Sequence, residues 1–134
     1  MCFDLNYINN SKYNVIFKRN KTMATIQHKV SYTRANAETP FFHAYEGKST
    51  DMSALSTHIK TNFEDTAKTS KVITTTSSDF LTHTVTRRFK DEATLNEFLE
   101  DATVSAFITE RNNYCNANGI TKDIEVSQQD DLTF

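Results

Sequence analysis

Hydrophobic and polar positions first fall into step between Ala24 and Arg34. Ile26, His28, Val30, Tyr32 and Arg34 lie on one side, and Thr25, Gln27, Lys29, Ser31 and Thr33 on the other. Period two predicts a strand with one covered face. The next regular stretch has a helical period. Met52, Leu55, Ile59, Phe63 and Ala67 recur at spacings of three and four, and Ser49-Thr50-Asp51 offers N-cap candidates just before them. This predicts an amphipathic helix. Ser70–Ser77 is rich in Thr and Val and reads as a strand. Leu81–Phe89 alternates again, with Leu81, His83, Val85, Arg87 and Phe89 opposite Thr82, Thr84, Thr86 and Arg88. The turn residues Ser77-Ser78-Asp79 join the two strands as a hairpin.

Asp91 is placed to cap a further helix whose apolar stripe is Leu95, Phe98, Leu99 and Ala102. The stripe then shifts to Val104, Phe107, Ile108, Tyr114 and Cys115, which predicts a break near Asp101–Thr103 and two helices rather than one. Asn118-Gly119 is a stop signal, because glycine takes the left-handed conformation that ends helices. Ile120–Ser127 supplies the last strand, with Ile120, Ile124 and Val126 opposite Thr121, Asp123 and Glu125, and residues 128–134 form a polar tail. One connection stands apart. Over residues 35–50, Pro40 pushes Thr39 to an extended conformation. Phe41-Phe42-His43-Ala44-Tyr45 is too apolar to be free loop and is expected to fold over the edge of the core.

The order β-α-β-β-α-β predicts an α+β, ferredoxin-like domain over residues 23–127, a four-stranded antiparallel or mixed sheet with helices on one face. Right-handed crossovers are expected to set the first and third strands side by side as parallel neighbours. With this order the chain resembles the dimeric α/β-barrel group of small ferredoxin-like proteins. That group includes cofactorless monooxygenases, haem-degrading enzymes and proteins with no assigned role. The resemblance rests on element order, covers residues 24–127 and implies pairing of two copies through their sheets. The chain departs from the group on its open sheet face, where Thr25, Gln27, Lys29, Ser31, Thr33, Thr82, Thr84, Thr86, Arg88, Thr121, Asp123 and Glu125 can form only a wet interface.

Residues 1–22 do not share these patterns. They are dominated by Asn, Lys, Tyr, Ile and Phe, types with AT-rich codons, and Met23 follows directly. The segment reads as a leader outside the natural protein or as a disordered basic arm. It lacks the apolar run of a secretory signal. The 112 residues from Met23 onward suit one domain. They carry 11 basic and 16 acidic residues, and this acidic balance argues against nucleic acid and anionic membranes as partners. No apolar run is long enough to span a bilayer. Only Cys115 remains after Met23, so that part of the chain has no internal disulfide and reads as intracellular, with Cys115 a buried neutral thiol. AT-rich codons and short length suggest a phage or environmental genome.

Candidate chemistry is sparse. His28 and His83 fall on the covered faces of their strands, with Tyr32 and Arg87 further along, and these four side chains are candidates to line a small-ligand pocket. Side by side, the two imidazoles could also serve as acid or base. No third ligand accompanies them, so neither a metal nor another cofactor is expected. Phe41, Phe42 and Tyr45 are candidates for a partner interface, because aromatics anchor interfaces. The expected role is therefore a small binding or structural module, a homodimer or larger oligomer. The alternatives are a cofactorless oxygenase or isomerase with its pocket between sheet and helices, and an assembly component. A cavity against both histidines favours the enzyme; a filled core favours the module.

Overall fold

The computed structural model describes residues 25–129, so the readings of residues 1–22 and of the end of the tail lie outside the described residues. Strand β1 spans Thr25–Thr33, and a 3-10 turn follows at Phe42–Ala44. Helix α1 spans Met52–Ile59 and continues as a wider π-helical turn over Lys60–Glu64. Strands β2 (Ile73–Thr76) and β3 (Thr82–Phe89) form the hairpin. Helices α2 (Glu92–Glu100) and α3 (Ala102–Ala117) then lead into β4 (Thr121–Gln129). The fold is α+β, with one sheet in the order β2-β3-β1-β4 and every neighbouring pair antiparallel.

The expected parallel pairing of β1 and β3 is corrected by this register. The helical crossover returns β2 in the direction of β1, and the hairpin then reverses the chain, so β3 runs against β1. Val30 faces Val85, Tyr32 faces His83 and His28 faces Arg87.

The helix boundaries follow local chemistry. The Asp51 carboxylate accepts from Ala54 N at 3.0 Å and starts α1. The stripe predicted to run to Ala67 ends earlier as a regular α-helix. Asp65 N donates to Lys60 O and Lys68 N to Phe63 O, each five residues back, and Ala67 at φ 59° turns the chain out. The wider turn keeps Phe63 buried against Phe98, ring centroids 5.1 Å apart. The break foreseen near Asp101 falls on that residue. Asp101 takes ψ 133°, which no helix accepts, and its carboxylate caps α3 by accepting from Thr103 N and Val104 N at 3.0 Å. His58 on α1 contacts both oxygens of the same carboxylate at 3.0 Å, tying the two helical segments together. Gly119, at φ 70°, ends α3 as expected.

Helices cover one face of the sheet. There Ile26, Phe89 and Leu95 are wholly buried and pack with Ile59, Phe63, Phe98 and Val104. A second cluster, Val30, Tyr32, Phe41, Cys115 and Ile120, occupies the other end of the same face. The open face is a polar ladder. Ser31 and Thr84 hydroxyls meet at 3.2 Å, Thr33 and Thr82 at 3.1 Å, and Lys29 approaches Glu125 at 3.8 Å. Such cross-strand pairs contribute a few tenths of a kcal/mol each, up to about 1.

Candidate functional site

Between the covered face of the sheet and the helices lies a cavity of about 380 Å³. That is at the small end of the roughly 300–1,000 Å³ typical of ligand pockets. His28, Tyr32, His83 and Arg87 all line it. Its wall is otherwise mostly apolar, with Val30, Val85, Leu55 and Ile108 among the lining residues. The alternation of β1 and β3 carries the four side chains inward, since every second residue of a strand shares a face.

The antiparallel register separates the two histidines that the sequence had set side by side. Tyr32 is the residue opposite His83, so His28 lies four residues further along β1, about 13 Å at strand rise. At one end of the cavity His28 faces Arg87 and meets the Phe89 ring edge-on, with centroids 6.3 Å apart. Arg87 donates to Glu64 Oε2 and to Ser70 O, both at 3.0 Å, and its guanidinium sits 5.3 Å from the Phe98 ring centroid. Burial pulls the Arg87 pKa down, and the hydrogen bond and charge of Glu64 oppose that pull. This arginine is held in a compensated pair.

At the other end His83 has a different neighbour from the one expected. His43, on the 3-10 turn, brings its ring centroid to 4.6 Å from that of His83. Phe41 lies against both rings, at 6.1 Å from His43 and 5.5 Å from His83. Thr76 Oγ1 is 3.1 Å from His83 Nδ1. Burial holds the His83 pKa below the ordinary imidazole value, with a further push from His43. Burial does the same for His43, reinforced by the positive charges of Lys48 and Arg34, although one side of this residue remains open to solvent. At neutral pH both rings are therefore uncharged. No sequence pattern signalled His43, because it belongs to an irregular connection whose path only packing decides.

The aromatic segment folds over the edge of the core, and two of its three partner-interface candidates turn inward. Phe41 and Phe42 are buried within this chain, and Phe42 packs on Phe107 and Tyr114, with centroids 5.8 and 5.6 Å away. Tyr45 is half-buried, 4.5 Å from Tyr114, whose hydroxyl donates to Pro40 O at 2.6 Å. Lys48 Nζ donates to the carbonyls of His43 and Tyr45 at 3.0 and 2.8 Å, and Glu110 accepts from Thr50 N at 2.9 Å, so both ends of the segment are anchored. Phe41 and Phe42 form a wall of the cavity.

Arg111 on α3 is a second lining residue that the sequence reading missed. Its guanidinium lies 5.0 Å from the Tyr32 ring centroid and 4.8 Å from that of Phe107. Its Nε is buried with no hydrogen-bond partner among the described residues. The signal was present in the sequence: Val104, Ile108, Arg111 and Cys115 are spaced four, three and four apart and share one face of the helix. Cys115 is buried on that face, and burial raises its thiol pKa. Among the described residues, no three His, Cys, Asp or Glu side chains converge to hold a metal. Among them also, no helix is long and apolar enough to cross a membrane.

Comparison with known proteins gives little more. No family model and no curated protein matches the chain. A crystal structure of a Shewanella oneidensis protein is similar at 15% identity and a TM-score of 0.47, over 81% of this chain and 93% of that one. A crystal structure described as a putative amidohydrolase/peptidase from Burkholderia cenocepacia is similar at 16% identity and a TM-score of 0.35, over 80% of this chain and 28% of that one.

Proposed function

We propose that this chain is a small-molecule-binding domain whose ligand sits between the sheet and the helices. The single observation that carries the reading is the cavity of about 380 Å³, lined mostly by apolar side chains, met by a few polar ones and open to solvent on one side. Ligand sites are commonly concave, mostly apolar clefts with a few placed polar groups. The split β-α-β frame of the ferredoxin-like fold is the frame we assign to it, with β1 and β3 central and helices on one face. A screen of neutral aromatic and aliphatic fragments by methyl NMR tests the reading. The expected result is fragment-induced shifts confined to the methyls of Val30, Val85, Val104 and Ile108. Shifts confined to outward methyls such as Ile73, or none at all, overturn it.

The His43–His83 pair favours a second reading, a cofactorless enzyme. Two uncharged imidazoles at one end of an apolar cavity are suited to take a proton from a bound substrate. In that case His83→Gln leaves fragment binding intact and removes turnover. Association of copies belongs to the same proposal. β2 is an edge strand in which Ile73 is 43% exposed, as is Val72 just before it, and unpaired edges of this kind favour pairing. Light scattering at micromolar concentration is expected to show a dimer or larger species.

A further inference from the structure

Two guanidinium groups reach the cavity, and they differ in what neutralises them. Arg87 is answered by Glu64 at 3.0 Å and by the Ser70 carbonyl. Arg111 has no hydrogen-bond or ion-pair partner among the described residues; its only near neighbours of note are the faces of Tyr32 and Phe107. The nearest carboxylate in sequence, Glu110, is committed to Thr50 and Ser49, accepting from Thr50 Oγ1 and Ser49 N at 2.5 Å each. A guanidinium is always charged near neutral pH and carries five donors in a planar fork. Stacking on aromatic faces orients that fork without using its donors. A partly buried charge without a counter-ion is costly. An anionic ligand supplies what Arg87 already has.

We infer that the cavity takes an amphipathic monocarboxylate, with an apolar body between the sheet and helices and its carboxylate on Arg111. This inference rests on the pocket reading proposed above. The apolar body follows from the wall, in which Val30, Val85 and Ile108 offer no polar atoms. A single acidic group follows from the two arginines: Arg87 is answered by Glu64, and Arg111 is the one lining guanidinium that no carboxylate among the described residues answers. A carboxylate matches the fork in two parallel N–H···O bonds. The end of the cavity is fixed as well. Arg111 lies over Tyr32, and Tyr32 faces His83 across the strands, so the acid group is at the His83 end and the apolar tail points toward Phe89 and Phe98.

Two matched pairs of probes test this: octanoate against octan-1-ol, and 4-phenylbutyrate against 4-phenylbutan-1-ol, each titrated at neutral pH by methyl NMR. The expected result is that both acids bind at least about tenfold more tightly than their alcohols, the scale of one charge-assisted pair. In Arg111→Met the acids lose that advantage while the alcohols bind as before, and Arg111→Lys retains part of it. Arg88→Met, on the open face, leaves both ratios unchanged. Should Arg111→Met fold poorly, the acid-to-alcohol ratio in the unaltered protein and in Arg111→Lys decides the matter. Equal binding of acids and alcohols within the cavity overturns the carboxylate assignment and leaves the pocket standing. Binding of neither class at the cavity methyls overturns both.

Discussion

The two ends of the covered sheet face use the same strands and yet are built differently. At one end Ile26, Phe63, Phe89 and Leu95 interlock, all at 2% exposure or less. The cavity starts against Phe89 and Phe98 beside them and runs to the other end, where His43, His83, Tyr32 and Arg111 surround it. The charged groups follow the same division. Arg87, nearer the filled end, is closed off by Glu64, whereas Arg111 at the other end lies against aromatic faces and meets no carboxylate among the described residues. Close packing and compensated charge hold the fold at one end. Incomplete packing and uncompensated charge mark a place for something else at the other.

The largest effect expected from breaking this contrast is at the filled end. Leu95→Ala leaves a void with no freedom to collapse, and urea unfolding is expected to show a loss of about 2–5 kcal/mol. Val85→Ile at the cavity is its counterpart. An added methylene there enters space that is already empty, so stability is expected to stay level or rise by up to about 1 kcal/mol while fragment affinity falls. If Val85→Ile costs as much as an overpacked core substitution, the two ends are alike and the contrast fails.

Asp101→Ala is expected to cost about 1–2 kcal/mol, because one carboxylate both caps α3 and contacts His58. Although burial pushes the Asp101 pKa up, the donors from Val104 N and His58 outweigh it and keep it below the usual carboxylate value. Gly47→Ala acts just outside the cavity, on the segment that carries Phe41 and Phe42. A Cβ at this position would collide with the end of the Tyr45 side chain, so that ring must shift against Tyr114. Thermal unfolding is expected to show a loss of about 1 kcal/mol, with larger NMR shifts at the cavity end than at Leu95.

The smallest effect is the response to pH. His43 and His83 have lowered pKa values in the folded chain, so the unfolded chain binds more protons once the pH drops through its own imidazole value. Stability is therefore complete above the ordinary imidazole value and declines as the pH falls below it. The decline is shallow, because both rings are partly solvated. A double variant, His43→Gln with His83→Gln, is expected to flatten the curve over that window. An unchanged slope would show that the pair is not the group that titrates.

Much of the fold was legible in local pattern. The alternation at 25–33 and 82–89, the stripe from Met52, the break at Asp101 and the stop at Gly119 all express preferences of a few neighbouring residues. Backbone sterics, capping and side-chain direction act over one or two turns, and a sequence displays them directly. The site was legible only in part. His28, Tyr32, His83 and Arg87 were placed on the covered face because a strand has only two faces. Their partners were not, because partnership depends on strand direction and register. One reversal of the chain at the β2–β3 hairpin moved His83 from beside His28 to beside His43.

By itself, then, the sequence determined which residues form each element and which face each residue takes, since those are short-range consequences of φ/ψ sterics and burial. The tertiary structure alone decided that His43 meets His83, that Arg87 meets Glu64 and that Arg111 meets no counter-ion among the described residues. It also decided that the helices stand off the sheet far enough to leave a cavity. Those are outcomes of how separate elements dock, where volumes and charges from distant parts of the chain must fit together, and no local pattern encodes the sum.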